Sequence, residues 1–264
     1  MATLKQSAGA LANRVLAPFS VELRSARRFP PATPLRPVGE LVSVLTDMAA
    51  RGFRPRTILD IGANRGHWTR AAMEAFPEAR YVLFEPVAAL EPLLRDVVGQ
   101  APGSRYVIAA VSAKEGTAEL SCITYLDGTP TSGSTLFPSA PDPSLYRTTR
   151  VTVPSVTLDG LLARGEIPVP ELVKIDVEGF ELDVLSGARS LLGRTDAFIL
   201  EVSFEAFWGQ PIFHEVVAFM ADAGYVVHDF MGFNRRPKDG TLGQADVCFV
   251  RKDSAMRRKG GWAD

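Results

Sequence analysis

An open, doubly wound α/β fold with a mainly parallel sheet is what this sequence predicts, and three observations carry the prediction. Short apolar runs rich in β-branched residues alternate with stretches of apolar residues at helical spacing. Gly and Pro punctuate the boundaries, and no charged or polar tract interrupts the alternation before residue 126. Strands that alternate with helices of about ten residues imply βαβ units, hence parallel strands covered on both faces.

The elements follow in order. Residues 1–40 read as an N-terminal helical extension, with Leu4, Leu11, Val15 and Leu16 on one face, and a linker marked by Pro30, Pro31, Pro34 and Pro37. Residues 41–252 form the main domain, and 253–264 a basic tail. Leu41, Val42, Leu45, Met48 and Ala49 make a helix face closed by Gly52. Thr57–Ile61 is the first strand, and Trp68, Ala71, Ala72, Ala75 and Phe76 the next helix, stopped by Pro77. Arg80–Phe84 is a strand, Leu90 to Val97 a helix, and Tyr106–Val111 a third strand. Then come the strand Leu172–Val177, a helix from Val184 to Leu192 capped by Gly193, and the strand Ala197–Val202. A helix with Ile212, Phe213, Val216, Val217 and Met220 precedes the final strands, Tyr225–Val227 and Val247–Val250. One stretch breaks this rhythm. Residues 127–150 carry prolines, glycines and a run of Ser and Thr, between strand-like flanks at Thr117–Tyr125 and Arg150–Val156. Long aperiodic inserts in compact domains are usually functional, so a hairpin-borne substrate loop is expected there.

Composition narrows the function classes. No apolar run reaches the ~18–20 residues of a membrane span. The chain ends carry +4 and +3, so the overall −1 leaves residues 31–250 at −8, which argues against a nucleic-acid groove. Cys122 and Cys248 are too few and too far apart for a disulfide scaffold, and a reducing, cytoplasmic setting is expected. The expected partner is a small-molecule or glycoside acceptor, with homo-oligomerisation left open.

In open parallel sheets, ligands bind outside the carboxyl ends of the strands, so the residues after each strand deserve the closest reading. After the first strand comes Asp60-Ile-Gly62-Ala-Asn64-Arg-Gly66. This D-x-G-x-x-x-G differs from the G-x-G-x-x-G of a dinucleotide turn, which needs amides and no carboxylate beside a pyrophosphate. The carboxylate suits a ligand with a cationic group, and the glycines suggest close approach to backbone. After the second strand, Glu85-Pro86 puts an acid 25 residues beyond Asp60, where such folds hold a ribose diol. After the strand at 172 comes Lys174-Ile-Asp176-Val-Glu178-Gly179. Period two puts its three charged residues on one side while the strand persists, and buried strands rarely tolerate that. Glu201 ends the next apolar run.

These blocks resemble the FkbM-type S-adenosylmethionine-dependent methyltransferases: Thr57-Ile-Leu-Asp-Ile-Gly-Ala-Asn-Arg-Gly66, Phe84-Glu-Pro86, Val173-Lys-Ile-Asp-Val-Glu-Gly179 with Glu181 and Leu185, Leu200-Glu201 and Gln244-Ala-Asp246. The resemblance implies a seven-stranded sheet with an antiparallel last strand and methylation of a hydroxyl on a sugar or natural product. The expected cofactor is S-adenosyl-L-methionine, bound by Asp60, Gly62, Asn64, Gly66, Glu85, Pro86 and Asp176. Asp176 is the expected general base, with Glu178, Glu201 and His67 as further catalytic candidates. Mg²⁺ is compatible with the carboxylates but not expected, and no metal ligand is assigned. Two other readings stand beside this one: an NAD(P)-dependent oxidoreductase, disfavoured by the missing glycine fingerprint, and a non-catalytic S-adenosylmethionine-binding protein.

Overall fold

The structure, a computed structural model, describes residues 37–136, 142–207 and 209–257. The segment expected to form an N-terminal helical extension (apart from residues 37–40), most of the basic tail and the centre of the 127–150 insert lie outside them. Among the described residues the order is α1 (Leu41–Ala50), β1 (Thr57–Ile61), α2 (His67–Ala75), β2 (Arg80–Phe84), α3 (Glu91–Val98), β3 (Arg105–Val107), β4 (Ala110–Val111), β5 (Gly116–Tyr125), β6 (Tyr146–Val156), α4 (Leu158–Ala163), β7 (Leu172–Ile175), α5 (Glu181–Ser186), β8 (Ala197–Ser203), α6 (Phe213–Asp222), β9 (Tyr225–Arg235) and β10 (Leu242–Arg251).

A seven-stranded sheet in the order β3-β2-β1-β7-β8-β10-β9 forms the centre. All its pairings are parallel except those of β10, which runs antiparallel to both β8 and β9. The expected mainly parallel sheet with an antiparallel last strand is therefore present. β1 and β8 are buried along their whole length, as strands covered on both faces must be. Two apolar layers sandwich the sheet. One joins Leu59, Ile61, Phe84, Val173, Ile175 and Leu200 to α4, α5 and α6, and the other joins Ile58, Tyr81, Leu83, Leu172 and Ile199 to α1, α2 and α3.

The local signals explain most boundaries. Glu40 caps α1 by accepting the Ser43 N–H, and Arg51 and Gly52 close it. Glu215 bonds back to the Ile212 N–H and fixes the start of α6. Four details depart from the expectation. The single strand at Tyr106–Val111 is two, because the chain leaves the main sheet after β3 and β4 pairs instead with β6 in a second sheet, β4-β6-β5. The strand expected at Leu172–Val177 ends at Ile175. The helix from Val184 breaks at Gly187, which packs against the Ser112 carbonyl where a side chain would clash. The last two strands are about three times longer than the apolar runs indicated and form a hairpin with several register shifts. The flanks of the insert do pair, β5 with β6, in an antiparallel ladder.

Candidate active site

A cavity of about 290 Å³ opens at the carboxyl ends of β1, β2, β7 and β8. Its lining divides into two ends. Phe84, Pro86, Ala109, Val111, Leu120 and Leu136 make an apolar end beside β2 and the small sheet, while Asp176, Glu178, Glu201, Asn234 and Gln244 make a polar end. Between them lie Gly62, Asn64 and Glu85. Ser132, Ser134 and Thr135 close the cavity from the insert.

The insert is clipped down at both of its sides. Thr131 and Thr135 pair with Ile123 and Ser121 of β5. From the other side the Asn64 side chain donates to the Thr131 carbonyl, Arg65 donates to the Pro130 carbonyl, and the Thr135 hydroxyl donates to the Glu178 carbonyl. Residues 130–136 are thus tied directly to the turns that follow β1 and β7.

Glu85 is buried at the tip of β2, and each of its oxygens accepts a backbone N–H, from Asn64 at 2.8 Å and Val87 at 2.9 Å. Burial pushes its carboxyl above the ordinary range, opposed by those two amides. Asn64 takes a left-handed φ of 48° to present its N–H. Such backbone strain in a non-glycine residue is found disproportionately at functional sites.

Asp60 has a different place from the one expected. It is fully buried beneath the turn, outside the cavity lining, accepts the Thr69 hydroxyl and stands 3.5 Å from Lys174. Gly62 (φ 78°) is pressed against the Asp176 carbonyl and Gly66 (φ 73°) against Val97, so packing of the turn by itself demands both glycines. Gly62 still borders the cavity, and Gly66 does not.

Lys174 is the hub behind the site. Its ammonium lies 3.0 Å from Asp176, 3.5 Å from Asp60 and 3.3 Å from the Gly62 carbonyl. Burial would lower its pKa, but the charges of Asp176 and Asp60 outweigh it and hold the lysine protonated. The glycine turn and the catalytic candidate are thereby joined through one cation.

Because β7 ends at Ile175, Glu178 reaches the cavity through a turn and not by strand alternation. It adopts φ 55° and is followed by Gly179 at φ 102°. Glu181 holds that turn by accepting the N–H groups of Val177 and Gly179. Glu201, nearly buried, accepts from Gln244 at 2.8 Å and from Asn234 at 3.5 Å. One oxygen from each of Asp176, Glu178 and Glu201 lies within 4.8 Å of the others, a hard-oxygen set of the kind that suits Mg²⁺. Crowding shows in their protonation. Burial and the neighbouring charges of Asp176 and Glu181 push Glu178 up to about 8, and burial with Asp176 and Glu178 raises Glu201 well above the carboxylate range. Burial likewise takes Glu181 to about 7 and Asp246 to about 6.

The histidines stand apart. His67 is exposed at the start of α2, and neither it nor His214 or His228 lines the cavity. The polar residues that sequence reasoning did not single out are Asn234 and the insert's Ser132, Ser134 and Thr135. Asn234 belongs to the part of β9 whose Phe- and Gly-containing sequence hides a strand, and only the pairing with Gln244 reveals its position.

A mainly parallel sheet with its cavity at the carboxyl tips, a glycine turn and acidic strand ends defines a doubly wound α/β protein with its cavity where such sheets hold their ligands. The methyltransferase FkbM domain matches residues 60–227, and the chain belongs to that methyltransferase family. A hexuronic acid methyltransferase, AglP of Haloferax volcanii, is 40% identical over 52 residues, which cover 20% of this chain and 22% of that protein. The match therefore spans about a fifth of that relative's length. Among solved structures, the chain is similar to a precorrin-6y C5,15-methyltransferase of Geobacter metallireducens, with 14% identity and a TM-score of 0.42 over 86% of this chain and 93% of that one. It is also similar to a Burkholderia thailandensis 1,6-didemethyltoxoflavin-N1-methyltransferase solved with S-adenosylhomocysteine, with 17% identity and a TM-score of 0.42 over 80% and 76%.

Proposed function

We propose that this protein transfers a methyl group from S-adenosylmethionine to a hydroxyl of a sugar or natural-product acceptor. The observation that carries the reading is the division of one cavity into an apolar end, a central carboxylate on fixed amides, and an acidic end. The apolar end suits a purine. Glu85 has both oxygens pinned by backbone amides yet borders the cavity, so its remaining lone pairs are available to a vicinal diol. S-adenosylmethionine, when bound, supplies a methyl group already activated by its sulfonium. What the chain itself must do is align the acceptor and take its proton. Asp176 is the residue for that task, since Lys174 holds its carboxylate at the cavity wall. The sugar acceptor is further supported by the name of the hexuronic acid methyltransferase, through a match over a fifth of the chain. The Ser and Thr hydroxyls of residues 132–135 then serve as acceptor contacts.

Calorimetric titration with S-adenosylmethionine tests the cofactor, and Glu85→Gln tests its seat. Affinity should fall by about 1–3 kcal/mol, the scale for losing charged hydrogen bonds. Unaltered affinity in that variant would remove Glu85 from the cofactor site.

A further inference from the structure

The acidic end of the cavity has no basic counterpart. Among the described residues, no lysine, arginine or histidine lines the cavity. Lys174, behind it, already serves Asp60, Asp176 and the Gly62 carbonyl. Three arginines of the flanking segments have partners of their own. Arg65 donates to the Pro130 carbonyl, Arg235 to the Gly240 carbonyl, and Arg236 pairs with Asp239 and lies over the Phe207 ring. What the polar end offers a ligand besides carboxylates is neutral: the hydroxyls of Ser132, Ser134 and Thr135 and the amides of Asn234 and Gln244. Those amides face Glu201.

We infer that the acceptor face entering this cavity is neutral and polyhydroxylated, and that a carboxylate-bearing acceptor is turned away by charge. The inference rests on the methyl-transfer reading above and narrows its acceptor class, away from the hexuronic acid named for the relative that matches a fifth of the chain. A uronate would add a fifth carboxylate to Glu85, Asp176, Glu178 and Glu201 in a cavity that no basic side chain lines among the described residues. Like charges brought together in a desolvated site are strongly unfavourable. Sugar hydroxyls meet the opposite situation. Each can donate to a carboxylate and accept from a serine or threonine, so the mixed lining satisfies both halves of a diol.

Matched sugars test this. Methyl β-D-glucopyranoside and methyl β-D-glucopyranosiduronate, with the galactose pair beside them, are offered to the full-length protein loaded with S-adenosylhomocysteine. Binding is read by saturation-transfer NMR, and methyl transfer from labelled S-adenosylmethionine is read separately. The neutral member of each pair should bind or react at least ~10-fold better than the uronate, on the scale expected for uncompensated like charge. Asn234→Lys, which brings a cation into the cavity lining, should narrow that ratio. A uronate preferred by the wild-type protein overturns the inference, and so does a ratio unchanged in Asn234→Lys, which would make shape rather than charge the selector. Calorimetry with S-adenosylhomocysteine alone keeps the two levels apart. If that ligand fails to bind, the methyl-transfer reading itself falls. If it binds and the uronate wins, only the acceptor class is wrong.

Discussion

Glu85 and Glu178 are the same residue type at the carboxyl edge of the same sheet, yet their surroundings make them chemically different. Glu85, after β2, has an amide on each oxygen, so its position and hydrogen bonding are settled by backbone. Glu178, after β7, faces Asp176, Glu181 and Glu201, with Gln244 as a neutral donor. Its neighbours repel the charge that Glu85's neighbours accept. Strand tips therefore place carboxylates at a site, but the next turn of chain decides whether a carboxylate becomes a fixed acceptor or a reservoir of protons. The first kind recognises a ligand, and the second responds to charge.

Asp176 sharpens that contrast most, because it touches both worlds: Lys174 on one side and the acidic group on the other. Asp176→Asn keeps the shape and removes the charge. Turnover should fall by ~10²–10⁴-fold, the usual contribution of a positioned base, while the melting temperature and S-adenosylmethionine affinity change little. Full activity in that variant would eliminate Asp176 as the base. A loss of stability with proportionate loss of activity would make it a structural partner of Lys174.

Lys174 probes the buried side of the same arrangement. Lys174→Met leaves Asp60, fully buried, with only the Thr69 hydroxyl to answer its charge. Removing one partner of a buried ion pair typically costs ~3–5 kcal/mol, so denaturant unfolding should show a loss of that size. The double variant Asp60→Asn/Lys174→Met should recover much of it. Equal stability of wild type and Lys174→Met would mean that the pair contributes nothing to the fold.

How much of this was legible in the sequence follows from the range of each signal. β1, β2, β7 and β8 are short apolar runs with acids at their ends, and local periodicity suffices to find them and to put Glu85, Asp176 and Glu201 at one edge. The split of Tyr106–Val111 into β3 and β4 was not legible, because both halves are apolar and only the pairing of β4 with β6 separates them. The burial of Asp60 was hidden for a related reason. Its partner Lys174 is over a hundred residues away, and a D-x-G turn looks the same whether the carboxylate faces the ligand or the core. Gly62 and Gly66 carried the message that no side chain fits, and the protein atoms against them, the Asp176 carbonyl and Val97, come from distant parts of the sequence. Glu178 reached its expected cavity by an unexpected route, since a left-handed turn and not strand alternation delivers it.

The last effect concerns pH, and it bears on the contrast most directly. Glu178 in the folded protein keeps its proton up to about 8, whereas an ordinary glutamate in the unfolded chain releases it near 4.5. Between those values the folded state binds more protons than the unfolded one, so stability falls as pH rises through that window. Glu181, held up to about 7, and Asp246, held up to about 6, act in the same direction. The ligand-free protein should therefore melt at a lower temperature at pH 8.5 than at pH 5.5, with each kcal/mol worth roughly 2–4 °C in a domain of this size. Glu178→Gln removes one titrating group from the acidic set, so its melting profile should be flatter across the same range. A parallel profile in wild type and variant would show that Glu178 is solvated like any surface carboxylate, and the difference between the β2 and β7 tips would then lie in hydrogen bonding alone.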